Sequence, residues 1–342
     1  MKKLIKHIPV YLTASLSILV AQICPCETDV PGWSFQKAFS IDNSTNSAEL
    51  EDYQVLITLD TEKLILVGEM NADGSDIRVS GLCDNSDPLG FWIDDINTSA
   101  TRIWVNVPNI ASNDTETVYV HYGNPSAIPA GNGSNVFPFF DDFDESLSDW
   151  SFQGGSTWEN ATFLDENVLR STPDIYAAGS AALLSADIGI TDYIVELKFA
   201  TDNDHVYGGP MYEHDNFDNY NAYHLMTDMD VTMISLITNG NPDYGQMQEF
   251  ISEPNQWYDW KIIRNGTANT IDIYMDDILQ VSNSTVFSDG VGLWAFGSSG
   301  SLYYDNLFVR KYSGIDPTVS ELRVLNYECP AVVSLEINGT SG

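Results

Sequence analysis

Hydrophobic and polar residues alternate along much of this chain, and short polar segments separate the alternating runs. The clearest apolar strand face is formed by Tyr53, Val55, Ile57 and Leu59. A helical spacing is confined to a short stretch at 62–69. Hydrophobic residues make up 43% of the chain and aromatic residues 12%, which is enough to bury a core. The pattern therefore predicts a folded, all-β protein.

One stretch, Phe137–Trp150, divides the chain into two parts. It is rich in aromatic and acidic residues, and Tyr304–Leu307 carries a similar combination far along the chain. We expect the first and last strands of the segment between them to meet. At 342 residues the chain is long enough for two domains with separate cores. The prediction is two β-sandwich modules, at 30–136 and 137–312.

The second part contains the clearest local unit, a meander of three strands. The strands are predicted at 257–264, 270–275 and 278–281, with Asp276-Asp277 as the tight turn between the last two. A further strand is predicted at 290–295. Gly208-Gly209-Pro210 indicates a loop. Regular strand spacing with turn signals is typical of a sandwich or jelly roll.

The charge balance excludes several classes of partner. The chain has 49 acidic and 14 basic residues, for a formal net charge of −35. Nucleic acids and anionic lipid surfaces require basic patches, so they are poor partners for such a chain. Divalent cations and neutral ligands fit this balance better.

The amino terminus has the pattern of an export signal. Three lysines within the first six residues precede the apolar run Ile8–Ala21. Residues 1–26 are the predicted signal peptide, with cleavage after Ala21 as an alternative. No later segment is long and apolar enough to span a bilayer, so we expect a secreted or cell-surface protein. If cleavage follows Cys26, only Cys83 and Cys329 remain, and they are the predicted disulfide.

Ordered motifs in the first module carry a family resemblance. They are Gly32-Trp33, Asp52–Val55, Asp73–Arg78, Phe91–Ile93, Ile103–Pro108 and Val118–Pro125. Over residues 33–145 the chain resembles the domain of unknown function 2341, a family of prokaryotic secreted and cell-surface proteins. That family has no established catalytic residues, so the resemblance assigns none. We expect Trp33, Trp92 and Trp104 to fill the core of this small sandwich, the alternative being that they stack on sugars.

The second module resembles concanavalin A-like lectin and glucanase domains of the laminin-G sort. The meander, Gly290–Trp294 and Tyr304–Val309 carry this resemblance, which implies a jelly roll over 137–312. Glucanases of this fold use a Glu-x-Asp-x-Glu strand that places two carboxylates on one face. The chain has no such run and no other catalytic motif. The sequence therefore favours a binding module over an enzyme.

A calcium site is predicted where the first and last strands of the second module meet. Asp141, Asp142 and Asp305 would supply carboxylate oxygens, which are the ligands that calcium prefers. The resemblance to lectin-like sandwiches implies a structural ion of this kind. The alternative is that these carboxylates accept backbone N–H groups in turns.

A ligand site is predicted in residues 202–230, where aromatic residues are mixed with Asp and Asn. Aromatic rings stack on sugars, while amides and carboxylates bind hydroxyls. The alternative is that the tyrosines simply pack on the sandwich. The predicted contact residues are Tyr207, Tyr212, Asp215, Asn216, Asn219, Tyr220 and His224.

Residues 313–342 are predicted to be a linker followed by short strands at 321–326 and 332–337. These strands would either pack on the modules or pair with a neighbouring molecule, which makes self-association possible. Taken together, the sequence predicts a secreted recognition protein that binds glycans or a glycosylated cell surface. The alternatives are an adhesive assembly protein without sugar binding and a glycoside-processing enzyme with atypical carboxylates.

Overall fold

The structure, a computed structural model, describes residues 30–173, 180–184, 188–216, 218–239, 241–283, 291–297 and 299–322, and nearly all of their regular secondary structure is antiparallel β-strand. The α-helix Thr61–Leu66 is capped by Asp60, whose side chain accepts the backbone N–H of Lys63 at 3.0 Å. The 3₁₀ turn Gly133–Asn135 precedes the second module. Within the described ranges, no helix is long and apolar enough to cross a membrane.

The first module folds into two small sheets that pack face to face. Its strands are β1 (Phe35–Asp42), β2 (Leu50–Leu59), β3 (Arg78–Ser80), β4 (Phe91–Asp94), β5 (Thr101–Ile110) and β6 (Thr115–Tyr122). One sheet contains β1, β6 and β3, and the other contains β2, β5 and β4. The predicted apolar face of β2 is confirmed, because its four residues are all buried between the two sheets.

The second module is a sandwich of two large sheets. Its strands are β7 (Phe139–Asp141), β8 (Trp150–Gly154), β9 (Thr157–Phe163), β10 (Glu166–Thr172), β11 (Ser180–Leu184), β12 (Asp192–Thr201), β13 (Val206–Asn216), β14 (Asn219–Met226), β15 (Val231–Thr238), β16 (Asn241–Glu249), β17 (Tyr258–Asn265), β18 (Thr270–Met275), β19 (Ile278–Asn283), β20 (Gly292–Gly297) and β21 (Leu302–Lys311). The eight-stranded sheet has the order β19-β18-β17-β12-β21-β10-β9, with β7 also paired to β21. The seven-stranded sheet has the order β16-β15-β14-β13-β20-β11-β8. The predicted fold class, all-β with two sandwich modules and a jelly roll in the second, is confirmed.

The core of the second module lies between these two sheets. Trp260 and Tyr304 enter it from the eight-stranded sheet, and Tyr223 and Leu293 enter it from the seven-stranded sheet. Alternate residues of each strand point to this core, so the residues between them form the outer face of each sheet. Leu307 of β21 lies opposite Asp141 of β7, which confirms that the first and last strands of the module meet.

After the second module the chain returns to the first. The strand β22 (Thr318–Leu322) pairs antiparallel with β1, and Val319 packs against the core of the first module. Strand residues from both sides of the second module therefore share one sheet. The predicted tail strand that began at residue 321 starts earlier and packs on a module. The second predicted tail strand, 332–337, lies outside the described residues.

Aromatic side chains form the junction between the modules. Trp92 and Trp104 pack against Phe137, Phe140 and Phe308, and the rings of Phe137 and Phe308 stack with centroids 4.3 Å apart. The expectation that these tryptophans fill the first module's core was wrong. Their strands bury the opposite face in that core, so the indoles are free to pack on the eight-stranded sheet of the second module.

A network of ion pairs surrounds these rings. The pairs are Arg102–Asp94 (3.1 Å), Arg102–Glu196 (3.0 Å), Arg310–Glu196 (2.9 Å), Arg310–Asp316 (3.0 Å), Lys198–Asp94 (3.5 Å) and Lys198–Asp95 (3.0 Å). Glu196 thus bridges two guanidinium groups, which lie 5.6 and 5.2 Å from the Trp104 ring centroid. Burial raises the pKa of Asp94, while the charges of Lys198 and Arg102 lower it. The junction therefore combines apolar packing with charged groups that have defined partners.

Candidate functional site

The predicted ligand segment, 202–230, forms the middle of the seven-stranded sheet. Most of it lies in β13 and β14, which are adjacent strands. Tyr223 and Leu225 point into the core, whereas Tyr207 and Tyr220 belong to a separate cluster on the outer face. The segment therefore contributes to both faces of the sheet. Only its outward residues are available for a binding site.

The structure separates the predicted contact residues by their exposure. Tyr207 is half-buried, but Tyr220 is only 8% exposed and His224 only 2%. Tyr220 and His224 are therefore buried within the outer face and have little surface that a ligand could contact. Asn219 begins β14, and its Oδ1 accepts the backbone N–H of Asn239 at 2.9 Å.

The remaining predicted contacts are Tyr212, Asp215 and Asn216. They belong to β13, but their side chains lie outside what the structure describes. Their role in ligand binding stays a prediction.

Four rings cross the outer face of this sheet in a continuous series, called here the aromatic row: Tyr207, Phe296, Trp294 and His224. Successive ring centroids are 5.7, 6.0 and 4.6 Å apart. Two of these rings, Trp294 and Phe296, were not among the predicted contacts. Their signal in the sequence was the alternation in β20, where Leu293 and Ala295 face the core and the two aromatic residues face outward.

Strand register explains why these rings meet. Tyr207 pairs with Phe296, and Gly209 pairs with Trp294. A Cβ atom at Gly209 would lie 2.3 Å from the carbonyl oxygen of Tyr223 and 3.1 Å from the Cα of His224. Because Gly209 has no side chain, the backbone of β14 can approach this closely, and the His224 and Trp294 ring centroids lie 4.6 Å apart. The prediction of a loop at Gly208-Gly209-Pro210 was wrong, since glycine inside a strand also marks a close approach of this kind.

Hydrogen bonds fix the orientation of the row. The indole Nε1–H of Trp294 donates to the Tyr220 hydroxyl at 3.1 Å. Burial lowers the pKa of His224 to about 3, so the imidazole is neutral at physiological pH. A neutral ring packs on Trp294 without the cost of a buried charge. The inner end of the row is therefore an apolar surface.

The outer end of the row is polar and open to solvent. The Tyr207 hydroxyl donates to Asp228 Oδ2 at 2.8 Å, and His205 Nδ1 lies 3.8 Å from the same oxygen. Burial raises the pKa of Tyr207 to about 12, and its hydrogen bond with Asp228 and the charge of Asp228 add to this effect. Asp228 and His205 are both solvent-exposed. A half-exposed aromatic pair thus stands beside groups able to bind hydroxyls.

The predicted calcium ligands have other partners. Asp141 accepts the backbone N–H of Phe143 at 2.8 Å and the indole N–H of Trp150 at 2.7 Å. Asp142 accepts the backbone N–H of Asp144 at 3.3 Å. Asp141 and Asp142 thus both accept N–H groups from nearby residues, which is the alternative to a metal site. In the part of the chain that the structure covers, no group of three or more His, Cys, Asp or Glu residues could hold a metal ion. Calcium binding stays a prediction.

The third predicted ligand, Asp305, lies near the carboxyl group of Glu166. Its carboxylate accepts the backbone N–H of Asn306 at 2.7 Å. Burial is the main reason that the pKa of Asp305 is raised to about 8, and the charge and hydrogen bonding of Glu166 raise it further. Burial and the nearby Glu166 carboxylate thus both favour the protonated form of Asp305.

Cys83 is disulfide-bonded, and its partner lies outside the described residues. The predicted pairing with Cys329 is compatible with this bond and stays a prediction.

Comparisons with known proteins identify one family that the chain resembles. The profile of the family described as Domain of unknown function (DUF2341) matches residues 73–161. This confirms the predicted resemblance from Asp73 onward and extends it into β9, while the predicted motifs before residue 73 lie outside the match. Among curated proteins, no sequence matches the chain.

Several solved structures are similar to about half of the chain. The carbohydrate binding module CBM66 from Bacillus subtilis is 16% identical, covers 48% of this chain and 96% of its own, and has a TM-score of 0.40. The Emp46p carbohydrate recognition domain in its potassium-bound form is 13% identical, with coverages of 49% and 94% and a TM-score of 0.37. A GH16 protein of the Bacteroides ovatus mixed linkage glucan PUL is 11% identical, with coverages of 50% and 99% and a TM-score of 0.38. These similarities concern the fold.

Proposed function

We propose that this chain is a secreted or cell-surface recognition protein that binds carbohydrate through the outer face of its seven-stranded sheet. The observation that carries the proposal is the aromatic row, which runs from a buried imidazole to a half-exposed tyrosine beside exposed polar groups. Aromatic rings supply apolar contact to the C–H faces of a sugar, and the neighbouring carboxylate and imidazole orient its hydroxyls.

The affinity of one such site is expected to be weak. Each polar contact replaces a hydrogen bond to water, so its net contribution is about 1 kcal/mol. We therefore expect dissociation constants in the high-micromolar range or weaker for a single site. Several copies on one surface would raise the apparent affinity by avidity. Recognition of a polymer or a glycosylated surface suits this arrangement better than capture of a free sugar.

A glycan array followed by calorimetry on the array's best ligand tests the proposal. Phe296→Ala and Tyr207→Ala should each weaken binding about tenfold or more, because each removes apolar contact at the open end of the row. Tyr207→Phe keeps the ring and removes only the hydrogen bond to Asp228, so a loss of about fivefold is expected.

Phe152→Ala is the matched control. Phe152 is 40% exposed on β8 of the same sheet and stacks on Trp158, away from the row. Its replacement should leave binding unchanged. The site assignment is wrong if Phe296→Ala binds like the wild type, or if Phe152→Ala weakens binding equally. Thermal melts of all variants separate lost binding from lost folding.

The two alternatives make different predictions. If the protein is an adhesive assembly module, the array stays blank and analytical ultracentrifugation shows oligomers that Phe296→Ala does not dissolve. If it is a glycosidase, the bound glycan is cleaved on prolonged incubation. Export is tested by sequencing the mature amino terminus, which we expect between Gln22 and Val30 in protein recovered outside the cytoplasm. Met1 on the mature chain would contradict that expectation.

A further inference from the structure

A cavity of about 350 Å³ lies at the junction of the two modules. This junction cavity is lined by Trp104 from the first module and by Asp259, Asn306 and Phe308 from the second, together with the ion pairs described above. Its volume is at the lower end of the range for small-molecule sites, roughly 300–1,000 Å³. It belongs to the outer face of the eight-stranded sheet, so it is distinct from the aromatic row.

The charges that line the cavity balance one another. Four acidic and four basic side chains contribute to its wall. Arg102, Lys198 and Arg310 are paired within the junction network. Lys261 pairs with Asp277 at 2.5 Å. The whole chain has only 14 basic residues against 49 acidic ones, so this local balance stands out from the acidic surface around it. A neutral wall selects neither anions nor cations by net charge.

Besides the Trp260 indole, which belongs to the core of the second module, three polar groups in the wall lack hydrogen-bond partners among the described residues. The Trp104 indole N–H is buried without an acceptor. No described group donates a hydrogen bond to the Asp259 carboxylate, and the Asn306 side-chain amide makes none. The first is a donor, the second an acceptor, and the third is both. A buried donor without a partner is costly, so a ligand or water that satisfies it is favoured.

A hydroxyl group is the chemical complement of this set, because it donates and accepts at one atom. The Trp104 and Phe308 rings beside these groups supply apolar contact for C–H bonds. An amino acid or other zwitterion would have to displace the existing ion pairs to place its charges. An uncharged polyol leaves those pairs intact.

We infer that the junction cavity is a second binding site, and that it takes a small uncharged polyol of the size of one or two sugar units. Hydroxyl groups of the ligand would accept a hydrogen bond from the Trp104 N–H and donate one to Asp259. They would also donate to the oxygen and accept from the nitrogen of the Asn306 amide. Because Trp104 belongs to the first module and the other two residues belong to the second, occupation would link the modules. The inference does not depend on the aromatic row.

Nitrogen-15 labelling of the tryptophan indoles provides a direct measurement. The Trp104 indole signal is identified by its absence in Trp104→Phe, which keeps an aromatic ring at the junction. The probes are D-glucose, D-mannose and N-acetyl-D-glucosamine, with D-glucuronate and D-glucosamine as charged counterparts, each titrated to about 100 mM because single-sugar affinities are weak. At least one neutral sugar should move the Trp104 signal in a saturable way. The charged counterparts should move it at least about fivefold less effectively.

Two conservative variants test the other contacts. Asn306 has a φ of 48°, so Asn306→Gly removes the amide and still fits the left-handed backbone. Asp259→Asn removes the charge and keeps the shape. Each should weaken the Trp104 response about fivefold or more. Asn255→Gly is the matched control, because Asn255 has a φ of 61° and is exposed away from the cavity. Phe296→Ala should also leave the response unchanged.

The inference is overturned if no neutral sugar moves the Trp104 signal in the accessible range, which would mean that the cavity holds water alone. It is equally overturned if glucuronate or glucosamine binds as well as the neutral sugars, or if Asn306→Gly and Asp259→Asn both respond like the wild type. A response abolished by Phe296→Ala would assign the effect to the aromatic row and would also refute the second site.

Discussion

Arg310→Met is the sharpest test of how the two modules are held together. Arg310 is 7% exposed, and its guanidinium donates to Glu196 at 2.9 Å and to Asp316 at 3.0 Å while lying over the Trp104 ring. Methionine keeps an unbranched apolar stem against that ring. The substitution therefore removes mainly the charge and its hydrogen bonds.

The magnitude follows from what the substitution leaves behind. Breaking a buried ion pair by removing one partner typically costs about 3–5 kcal/mol. Glu196 keeps its contact with Arg102 at 3.0 Å, and the Asp316 side chain is 42% exposed and can be rehydrated. Both facts favour the lower end of the range. We expect Arg310→Met to reduce the free energy of unfolding by about 3 kcal/mol.

Arg170→Met is the matched control in the assay. Arg170 also pairs with a glutamate, Glu159, but the two side chains are 38% and 47% exposed. An exposed pair contributes about 1 kcal/mol or less. Equilibrium urea unfolding, followed by circular dichroism, should therefore separate the two variants by about 2 kcal/mol. If the unfolding free energies of the two variants differ by less than about 0.5 kcal/mol, the buried ion pairs of Arg310 stabilise the fold no more than the exposed pair of Arg170 does.

Three further predictions concern single positions. The pKa of Asp305 is about 8 in the folded protein against an ordinary 3.8, so the native state holds the proton more tightly than the unfolded state does. The free energy of unfolding should therefore fall as pH rises from about 4 to about 8, by up to about 1.4 kcal/mol per pH unit. Melting temperatures of Asp305→Asn should be less dependent on pH than those of the wild type, and equal slopes would contradict the assignment. Gly209→Ala should destabilise the protein by at least about 2 kcal/mol in urea unfolding, because its Cβ would meet the Tyr223 carbonyl at 2.3 Å, and a neutral effect would show that the sheet can yield there. Peptide mapping of the mature protein should link Cys83 to Cys329, and a different partner for Cys83 would refute the predicted pairing.

Local patterns were sufficient to predict much of the fold. The meander was predicted with its strands within a few residues of β17, β18 and β19. Its turn was predicted at Asp276-Asp277, and these residues have φ values of 48° and 59°, as a two-residue hairpin turn of this kind requires. Such features depend on residues that are close together in the sequence, so the sequence alone is enough to predict them. The same holds for the alternation that buries one face of β2.

Several features that depend on distant pairing were not predicted correctly, although the meeting of β7 and β21 was. The Gly208-Gly209-Pro210 run reads locally as a loop, and only the pairing of Gly209 with Trp294 and the approach of His224 explain glycine inside β13. Tyr220 and His224 carry the polar atoms expected of ligand contacts. Their burial follows from the strands that flank them on both sides. Composition identified the correct region of the chain, and register decided which of its side chains remain accessible.

The return of β22 to the first module has a consequence for both candidate sites. Because β22 pairs with β1 and the first module packs on β21, the outer face of the eight-stranded sheet is turned toward the first module. The aromatic row lies on the other sheet of the sandwich, so its open end is directed away from the junction. Attachment of the chain at both ends of the second module therefore fixes which sheet is covered and which is presented to solvent. A glycan bound on the row would meet no obstacle from the first module, whereas a ligand in the junction cavity would contact both modules at once. Binding at the cavity should accordingly stabilise the protein against unfolding of either module, and binding at the row should stabilise only the second.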